Sequence, residues 1–424
     1  MPNFKTVRGM RDLLGEEAQT FTSVISKTRE TAALYDYKEV MTPVVESLEL
    51  LSAKSGEEIR QRMFIFKDLG KRQVALRPEF TASIARLVTT ALKNEPKPFR
   101  LFSVGTVYRY DEPQRGRYRE FWQSNFELMG SSRPEADAEI VLLTNSLMKE
   151  LGLQGYAFKI GHIGVLRGIL SREGVDEKTQ NAILQRMDKK EYEEAFNLAP
   201  SERCGDMLKG LLKLKSENCF DTVDKIKDYV ENYVVAKAAA ENLGEILKLI
   251  VESGCPVQVV EPAFARGLEY YTGMIFEIYI PQLDIALGGG GRYDRLIELF
   301  GGELTPAVGV AHGIDRIALA LQTQKAPVGD KGSKRVLVLA VNDSLKVEAL
   351  RIAQTLRGSG VVVEFEIMGR KIAKALEDAD KRDLDYAVIV GERELKEGAA
   401  MLRNLSKREQ TIVPIKVLAK KIKD

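Results

Sequence analysis

Arginines surround a polar, turn-forming stretch in the first third of the sequence. Arg109 precedes this stretch, Arg117 and Arg119 follow it, and Phe121 comes next. Guanidinium groups bind phosphate oxygens through paired hydrogen bonds and stay charged at any working pH, and an aromatic ring can stack on a nucleotide base. Loop arginines are more often solvated surface groups. A second arginine site, Arg316 just inside a predicted helix, favours phosphate binding instead.

The usual nucleotide-binding loops are missing from the sequence. No GxxxxGK[ST] pattern occurs, and the run Gly288–Gly291 continues into Arg292–Asp294 instead of completing a GxGxxG fingerprint. With His162 and His312 as the two histidines, a zinc cluster or a histidine-based catalytic triad is disfavoured. If ATP binds to this chain, arginines must hold its phosphates.

A long antiparallel hairpin is predicted to carry the first arginine group. Phe99 to Tyr110 and Glu120 to Met129 have β-type sequences, and the polar residues 111–118 separate them. Gln123 and Glu127 lie four residues apart on the second strand. They therefore face the same side of the sheet.

Further helices and strands must hold this hairpin in place. Glu16 to Tyr35 predicts an amphipathic helix, and Lys38 to Thr42 predicts a strand that stops at Pro43. Residues 166–245 are rich in Lys, Glu, Leu and Ala at helical spacing, which predicts a helical insertion. We expect Gly288–Gly291 to end a strand. The other predicted strands and one apolar helix are Val257–Val260, Ile275–Ile280, Asp284–Leu287, Ala307–Val310 and Ile317–Leu321.

The last part of the chain alternates strands with helices, after a linker candidate between Thr323 and Lys334 that is rich in Gly and Pro. Such alternation indicates a small α/β domain with a partly parallel sheet, whereas the first part indicates an α+β domain with an antiparallel sheet. The predicted strands are 336–341, 361–366 and 386–390, and the predicted helices are 344–357 and 370–381. The expected domain limits are 1–325 interrupted by 166–245, then a linker at 326–333, then 334–424.

The composition is typical of a globular protein, with 44% hydrophobic and 29% charged residues. No apolar run reaches the length of a membrane span, and the N-terminus carries no apolar signal-peptide core, so we expect a cytoplasmic protein without a membrane partner. The three cysteines lack CxxC spacing and are predicted to be reduced packing residues. From Lys334 onward 19 Lys and Arg face 14 Asp and Glu, a mild indication of nucleic-acid contact.

Several segments resemble the class II aminoacyl-tRNA synthetases, and specifically the histidyl-tRNA synthetases. Two are typical of the histidine enzymes: Arg266–Gly273, which reads RGLEYYTG, and Gly289–Asp294, which reads GGGRYD. The element that ends at Pro43, Phe102–Gly130 and Val308–Leu321 are similar to the three general class II motifs. The resemblance covers almost the whole chain. It implies an α+β catalytic domain with an antiparallel class II sheet, a helical insertion and a C-terminal α/β anticodon-binding domain.

The resemblance also implies an ATP site. Arg109 would bind the α-phosphate and Arg117 the pyrophosphate side, while Arg316 would hold the γ-phosphate region or cap the adenine. Phe121 would stack on the other face of the adenine. Asp111 would contact the base where the family usually has Glu. Mg²⁺ would accompany the ATP phosphates, and no metal site made of protein residues alone is expected.

The resemblance implies a histidine pocket beside the ATP site. Arg266 corresponds to a family arginine near the α-phosphate and, with Arg109, would stabilise the charge that develops as the histidine carboxylate attacks. Paired tyrosines on strands are usually core packing, but inside RGLEYYTG the functional interpretation is favoured. The implied histidine-binding residues are Glu79, Thr81, Gln123, Glu127, Arg266, Tyr270, Tyr271 and Tyr293.

Three positions depart from the family pattern. Phe80 stands where Gly or Met is usual, which predicts an altered pocket wall. The short side chain of Asp111 predicts a shorter or water-bridged adenine contact. Glu112 replaces an arginine that bacterial relatives have near the tRNA acceptor end. Gln114 still matches and is implied to contact that end.

The implied activity is histidine–tRNA ligation, in which ATP and L-histidine form histidyl-adenylate and pyrophosphate, and histidine then passes to the 3′ end of tRNA(His). The family implies a homodimer formed through the Pro43 region. The alternatives are a regulatory subunit of ATP phosphoribosyltransferase, a class II synthetase for glycine, threonine or proline, and a non-catalytic RNA-binding relative. The three motif arginines, Arg109, Arg117 and Arg316, together with the tail favour the ligase.

Overall fold

A computed structural model describes residues 4–54, 60–255, 257, 259–266, 270–281, 283–326 and 334–423. The chain forms two compact units, residues 1–328 and 329–424. Apart from Ala326, the predicted linker at 326–333 lies outside the described residues, and the domain limits drawn from the sequence stay predictions. Within these ranges no helix combines the length and the apolar character needed to cross a membrane.

An eight-stranded sheet organises the first unit. The strands of this unit are β1 (Lys38–Glu39), β2 (Val45–Ser47), β3 (Ile65–Lys67), β4 (Gln73–Leu76), β5 (Phe99–Tyr108), β6 (Glu120–Met129), β7 (Ala157–His162), β8 (Val259–Val260), β9 (Met274–Ile280), β10 (Leu283–Arg292) and β11 (Ala307–Gly313). The large sheet has the order β1-β5-β6-β11-β10-β9-β7-β8, and β2-β4-β3 form a small separate sheet. The inner pairs are antiparallel, and the edge pairs β1–β5 and β7–β8 are parallel. The mostly antiparallel α+β fold expected from the sequence is confirmed.

The predicted hairpin is the pair β5–β6 at the centre of this sheet. Phe99 pairs with Met129 at one end and Tyr108 with Glu120 at the other, so the register runs unbroken for ten residues. The first strand stops at Tyr108 and not at Tyr110. Regular pairing keeps the side chains alternating between the two faces. Every second residue of β6 therefore points into the same space.

The glycines Gly288–Gly291, expected at the end of a strand, form the last part of β10, which ends one residue later at Arg292. They pair with β9 on one side and with β11 on the other. A Cβ at Gly290 would lie 2.0 Å from the carbonyl oxygen of Gly309, so no side chain fits there. Glycine within a strand commonly marks such a close approach.

Helices cover the sheet and form the predicted insertion. Between β7 and β8 the described chain is helical, as predicted, and Cys204 and Cys255 are buried in this region with free thiols. Asp176, Ser201 and Asn218 cap three of these helices with side-chain oxygens. The helices of the first unit are Gly15–Leu34, Leu48–Lys54, Thr81–Thr89, Pro134–Glu150, Ile163–Arg172, Glu177–Asp188, Tyr192–Asn197, Glu202–Leu212, Cys219–Tyr229, Val234–Glu252, Leu296–Leu299 and Ile314–Gln324.

The second unit contains a five-stranded sheet in the order β13-β12-β14-β15-β16. Pairing of β12 with β13 and β14 is parallel, as alternation predicted, whereas β15 and β16 add an antiparallel edge. The strands are β12 (Arg335–Ala340), β13 (Val362–Phe365), β14 (Tyr386–Val390), β15 (Ala399–Asn404) and β16 (Gln410–Pro414). The helices are Lys346–Gly358, Ile372–Lys381, Glu392–Lys396 and Ile415–Lys423, with a short 3₁₀ turn at Asp343–Leu345.

Both histidines are buried in the first unit. His312 on β11 lies 3.2 Å from the Ser124 hydroxyl through Nδ1 and 3.0 Å from the Thr144 hydroxyl through Nε2. Burial lowers the pKa of His312 to about 3. His162 caps the helix Ile163–Arg172 through Nδ1, and burial lowers its pKa to about 4. Both rings are therefore neutral packing groups at neutral pH.

These buried rings predict an acid-sensitive fold. A histidine with a lowered folded pKa takes up a proton on unfolding, so the stability it supports is present above the unfolded pKa of about 6.5 and lost as pH falls towards the folded value. As the pH falls from about 6 to 5, each of these histidines should reduce the free energy of unfolding by about 1.4 kcal/mol per pH unit. Urea unfolding at several pH values measures this slope. In the variant His312→Asn, the free energy of unfolding should depend less steeply on pH, by about 1.4 kcal/mol per pH unit, because one fewer proton is taken up on unfolding. An unchanged pH dependence would contradict the neutral state of buried His312.

Candidate active site

A cavity of about 590 Å³ lies over β6, β10 and β11 on one face of the large sheet. It brings together almost all of the residues that the sequence singled out, although they come from distant parts of the chain. Gln114 is exposed and does not line the cavity. The predicted residues that line it are Glu79, Thr81, Arg109, Asp111, Arg117, Phe121, Gln123, Glu127, Arg266, Tyr270, Tyr271, Tyr293 and Arg316.

Asp111 organises the arginines at the open end of the hairpin. Its carboxylate accepts hydrogen bonds from Arg62 Nη2 at 2.7 Å and from Arg117 Nε at 2.9 Å. Burial alone would raise the pKa of Asp111, but the two guanidinium groups outweigh it and the pKa is lowered. The carboxylate is therefore ionised and committed to holding arginines. The predicted direct contact between Asp111 and adenine stays a prediction.

Arg109 projects from the end of β5 into the cavity wall. Its Nε donates to the carbonyl oxygen of Pro78 at 2.9 Å, and its guanidinium lies 5.4 Å from the centre of the Phe121 ring. Burial, and then the nearby charge of Arg62, lower the pKa of Arg109. Two guanidinium groups held close together in a buried place attract an anion, because an anion offsets both the repulsion and the desolvation.

Arg266 and Arg316 form a second cationic group across the cavity. Arg266 makes an ion pair with Glu277 of β9, and Arg316 Nη1 donates to the Ala286 carbonyl oxygen at 2.7 Å. Burial would lower the pKa of Arg266, but Glu277 more than offsets this and the pKa is raised. For Arg316, burial and then the charge of Arg117 lower the pKa. The two arginine groups thus face one space from different elements.

The glycine run of β10 makes room for this arrangement. A Cβ at Gly289 would lie 3.0 Å from both terminal nitrogens of Arg266. The Arg266 guanidinium therefore packs directly against the backbone of Gly289. The same absence of side chains opens the floor of the cavity. This explains why GGGRYD contributes to a site although its glycines do not form a phosphate-binding loop.

Glu127 is the deepest charged group of the cavity and is almost fully buried. Its carboxylate accepts a hydrogen bond from the Thr81 hydroxyl at 2.6 Å and another from the Tyr293 hydroxyl. Gly309 pairs with Glu127 across the sheet, and a Cβ there would lie 1.8 Å from Oε2. A carboxylate held in this way is suited to accept an N–H from an imidazole ring.

Aromatic rings close the same end of the cavity. The Tyr270 ring centre lies 4.8 Å from that of Tyr271 and 5.8 Å from that of Tyr293. Burial, and then the charge of Glu127, raise the pKa of Tyr293. The hydroxyl therefore keeps its proton and can donate it in a hydrogen bond. Residues 267–269 of the RGLEYYTG segment lie outside the described residues.

Glu79 lies two residues before the helix Thr81–Thr89 and lines the cavity. Its carboxylate accepts from the backbone N–H of Thr81 at 2.5 Å and of Ala82 at 3.0 Å. A carboxylate at a helix start is stabilised by the exposed N–H groups there.

Other residues of the cavity went unrecognised in the sequence. Asn125 lies between Gln123 and Glu127, and the alternation of β6 could have found it. Asp315 accepts from the Trp122 backbone N–H at 2.7 Å and from Arg11 at 2.9 Å, contacts that no local pattern signals. The remaining polar lining residues that were missed are Arg62, Tyr118, Gln185, Asp188, Lys189 and Glu277.

The structure places the three departures from the family pattern. Phe80 is buried in the core and does not line the cavity. The guanidinium carbon of Arg77 lies 4.2 Å from the centre of the Phe80 ring. The expected altered pocket wall is therefore wrong, because the ring points into the core. Glu112 is exposed and pairs with Arg8. Gln114 forms a tight backbone bridge with Arg117 at the tip of the hairpin.

Arg292 of the GGGRYD segment supports the site from below. It is buried and donates to Asp137 through Nε at 3.0 Å and Nη2 at 2.6 Å. Burial raises the pKa of Asp137 to about 6 against the opposing effect of Arg292. The pair joins the helix Pro134–Glu150 to the end of β10. Tyr293, the next residue, is thereby held beside Glu127.

An antiparallel sheet of this order, with arginines from a long hairpin and from the helix after β11 facing one cavity, defines the catalytic domain of a class II aminoacyl-tRNA synthetase. Residues 9–317 match the family model for histidyl-tRNA synthetase, and residues 335–424 match the model for the anticodon binding domain. The chain belongs to the histidyl-tRNA synthetase family.

Curated relatives agree along the whole chain. A histidine–tRNA ligase of Methanocaldococcus jannaschii is 40% identical over 97% of this chain and 98% of its own length. A histidine–tRNA ligase of Sulfurisphaera tokodaii is 36% identical over 97% of each chain. The predicted activity, histidine–tRNA ligation, is confirmed by these relatives.

Solved structures share the fold. The crystal structure of the histidyl-tRNA synthetase of Nostoc sp. PCC 7120 matches 100% of this chain and 99% of its own, with a TM-score of 0.82 and 22% sequence identity. At this identity the likeness bears on the fold alone. It is consistent with a catalytic domain followed by an anticodon-binding domain.

The close approach of Gly309 to Glu127 predicts that Gly309→Ala damages the site. The added methyl group must displace the carboxylate, and overpacking of this kind costs about 1–3 kcal/mol. We expect lower stability in urea and a KM for histidine raised by at least about tenfold. Gly205→Ala is the matched control, because a Cβ there would find its nearest neighbour at 3.8 Å. A normal KM for histidine in Gly309→Ala would refute this account of the pocket floor.

Proposed function

We propose that the cavity binds ATP along its arginine wall and histidine at its aromatic end. The observation that carries the proposal is the arrangement of Arg109, Arg117, Arg266 and Arg316 around one space that also contains Glu127. Buried guanidinium groups suit phosphate oxygens, and a buried carboxylate suits an N–H donor of an amino-acid ligand. The two kinds of group meet here within one cavity.

In the proposed ATP site, Arg109 contacts the α-phosphate and Arg117 the pyrophosphate side. Arg316 contacts the γ-phosphate or covers the adenine, and Phe121 stacks on the opposite face of the base. Asp111 keeps Arg117 oriented and lies near the base. Because Asp111 is already bound by two arginines, its effect on ATP passes largely through them.

In the proposed histidine pocket, Glu79, Thr81 and Gln123 receive the α-ammonium group. Glu127 accepts a ring N–H, and a tyrosine hydroxyl completes the contacts to the imidazole. Neutral imidazole has one donor and one acceptor, so a carboxylate and a hydroxyl are matched to it. The tyrosines that would enclose the ring are Tyr270, Tyr271 and Tyr293.

The proposed first step joins histidine to AMP. A carboxylate oxygen of histidine attacks the α-phosphorus, and the bond from that phosphorus to the bridging oxygen of pyrophosphate breaks. Arg109 and Arg266 stabilise the negative charge that grows on the α-phosphate oxygens, and no covalent link to the enzyme forms. Holding both substrates in one cavity supplies the orientation.

In the second step the 3′-terminal hydroxyl of tRNA(His) attacks the carbonyl carbon of histidyl-adenylate, and AMP leaves. We propose that Gln114 contacts the acceptor end, since its side chain is exposed at the tip of the hairpin. The anticodon-binding unit would contact the tRNA elsewhere. As a translation enzyme the protein would act in the cytoplasm.

We propose that Mg²⁺ enters with ATP. Within the described ranges no group of three or more His, Cys, Asp or Glu could hold a metal by itself. Mg²⁺ is commonly bound by one or two carboxylates together with substrate phosphates. Glu277 fits this requirement, because it lines the cavity beside Arg266. The ion would neutralise phosphate charge and orient the leaving pyrophosphate.

We also propose a homodimer formed around the Pro43 region. Apolar side chains are exposed there on neighbouring segments, and such a patch is typical of an interaction surface. They are Met41, Val44, Val45, Ile65 and Phe66. Sedimentation equilibrium should give twice the chain mass of 47.4 kDa. A monomer at micromolar concentration would contradict the proposal.

The test of the proposed function is ATP–pyrophosphate exchange with each of the twenty amino acids in turn. Histidine should support exchange and the others should not. In Arg266→Ala, loss of a charge-stabilising group should reduce exchange by at least about a hundredfold in kcat while far-UV circular dichroism stays unchanged.

Two controls sharpen this experiment. Arg133→Ala removes an exposed arginine that pairs with Glu135 outside the cavity and should exchange normally. Arg266→Lys keeps the charge without the paired donors and should recover only part of the rate. Near-normal kcat in Arg266→Ala would remove Arg266 from the proposed role, and exchange with another amino acid would refute histidine as the substrate.

A further inference from the structure

The row Gln123, Asn125 and Glu127 on β6 faces the cavity, and the middle residue has no role in the proposed pocket. Asn125 is almost fully buried, with 2% of its surface exposed. Its Oδ1 has no hydrogen-bond partner among the described residues. A buried acceptor without a partner is costly, so this oxygen points to a ligand.

The orientation of the Asn125 amide follows from its neighbours. The Thr81 hydroxyl donates its hydrogen to Glu127 Oε1, which leaves only lone pairs on Thr81 Oγ1. Both oxygens can therefore act only as acceptors towards Asn125, whose Nδ2 lies 3.4 Å from Thr81 Oγ1 and 3.5 Å from Glu127 Oε1. A flipped amide would place Oδ1 against the carboxylate and repel it. The NH₂ group is thus fixed towards Glu127, and Oδ1 is left for another partner.

We propose that Asn125 is a specificity-determining residue of the reaction, because its Oδ1 accepts a hydrogen bond from an N–H of bound histidine. The inference rests on the proposed histidine pocket. The donor is an N–H of the α-ammonium group or of the imidazole ring, since both must lie near Thr81 and Glu127 in that pocket. Either donor satisfies an oxygen that is otherwise buried without a partner.

This contact discriminates against ligands that lack the N–H. A buried polar group that a substrate fails to satisfy is penalised more than a lost apolar contact. Gln123 Oε1 is likewise buried without a partner on the same row. The floor of the cavity is therefore lined by acceptors, which favours a ligand rich in N–H donors.

The first experiment compares Asn125→Ala with Ser124→Ala in histidine-dependent ATP–pyrophosphate exchange. Ser124 is the adjacent residue on the opposite face of β6, where it bonds to His312, and so controls for disturbance of the strand. We expect Asn125→Ala to raise the KM for histidine about tenfold with the KM for ATP within about twofold of normal. Ser124→Ala should leave both constants unchanged. Asn125→Ser serves in the same assays if the alanine variant does not fold.

The second experiment identifies the donor and separates binding from positioning. The inhibition constants of histidinol, of 3-(thiazol-4-yl)alanine, which has no ring N–H, and of imidazolepropionate, which has no ammonium group, are measured in wild type and Asn125→Ala. A ring donor predicts that the variant loses affinity for histidinol but not for thiazolylalanine. An ammonium donor predicts that the loss disappears with imidazolepropionate.

An equal loss for all three ligands would show that Asn125 acts only by positioning Thr81 and Glu127, and would overturn the proposal. An unchanged KM for histidine in both Asn125 variants would overturn it as well. Failure of the proposed function is distinct, because then wild type itself would show no histidine-dependent exchange.

Discussion

The carboxylate of Glu127 lies at the floor of the cavity and is almost fully buried. Burying a charged group costs free energy unless hydrogen bonds compensate for the lost water. The Thr81 and Tyr293 hydroxyls supply the hydrogen bonds, and Gly309 supplies the space. These partners come from a helix start, a loop after β10 and the neighbouring strand. Much of the sheet order β6-β11-β10 can be understood as the arrangement that lets all three reach one carboxylate.

The opposite wall of the cavity contains several arginines, and their guanidinium groups repel each other when they are buried together. Asp111 and Glu277 offset part of this repulsion by binding Arg62, Arg117 and Arg266. The balance is incomplete at Arg109 and Arg316, whose pKa values burial lowers. The cavity thus has a cationic wall next to a floor that carries a carboxylate, so its two sides differ in charge.

The residues of the histidine-type segments divide into two kinds. Tyr293 and Arg266 line the cavity, whereas Arg292 lies outside it and holds Asp137 in a buried ion pair. Removing one partner of such a pair is much more damaging than removing both. A segment that is recognisable in sequence therefore contains residues that line the cavity and residues that hold their neighbours in place.

Local chemistry was readable from the sequence. Alternation along β6 placed Gln123 and Glu127 on one face of the sheet. The absence of a glycine-rich loop directed attention to the arginines, and the structure places Arg109, Arg117 and Arg316 around one cavity. The alternating pattern after Lys334 predicted a parallel core of strands. In each case the signal is a short local pattern of residue types, which can be seen along the chain.

Only the tertiary structure decided which distant groups meet. It shows why the Gly288–Gly291 run has no side chains, because Gly290 approaches the backbone of Gly309 and Gly289 approaches the guanidinium of Arg266. It also shows that Phe80 is buried in the core and that Asn125 lines the cavity. The orientation of the Asn125 amide follows from its contacts with Thr81 and Glu127. The sequence alone determined the kinds of chemistry available and the faces on which they lie. The packing of separate strands and helices determined their partners, because burial and hydrogen bonding between distant segments leave no periodic signal in the chain.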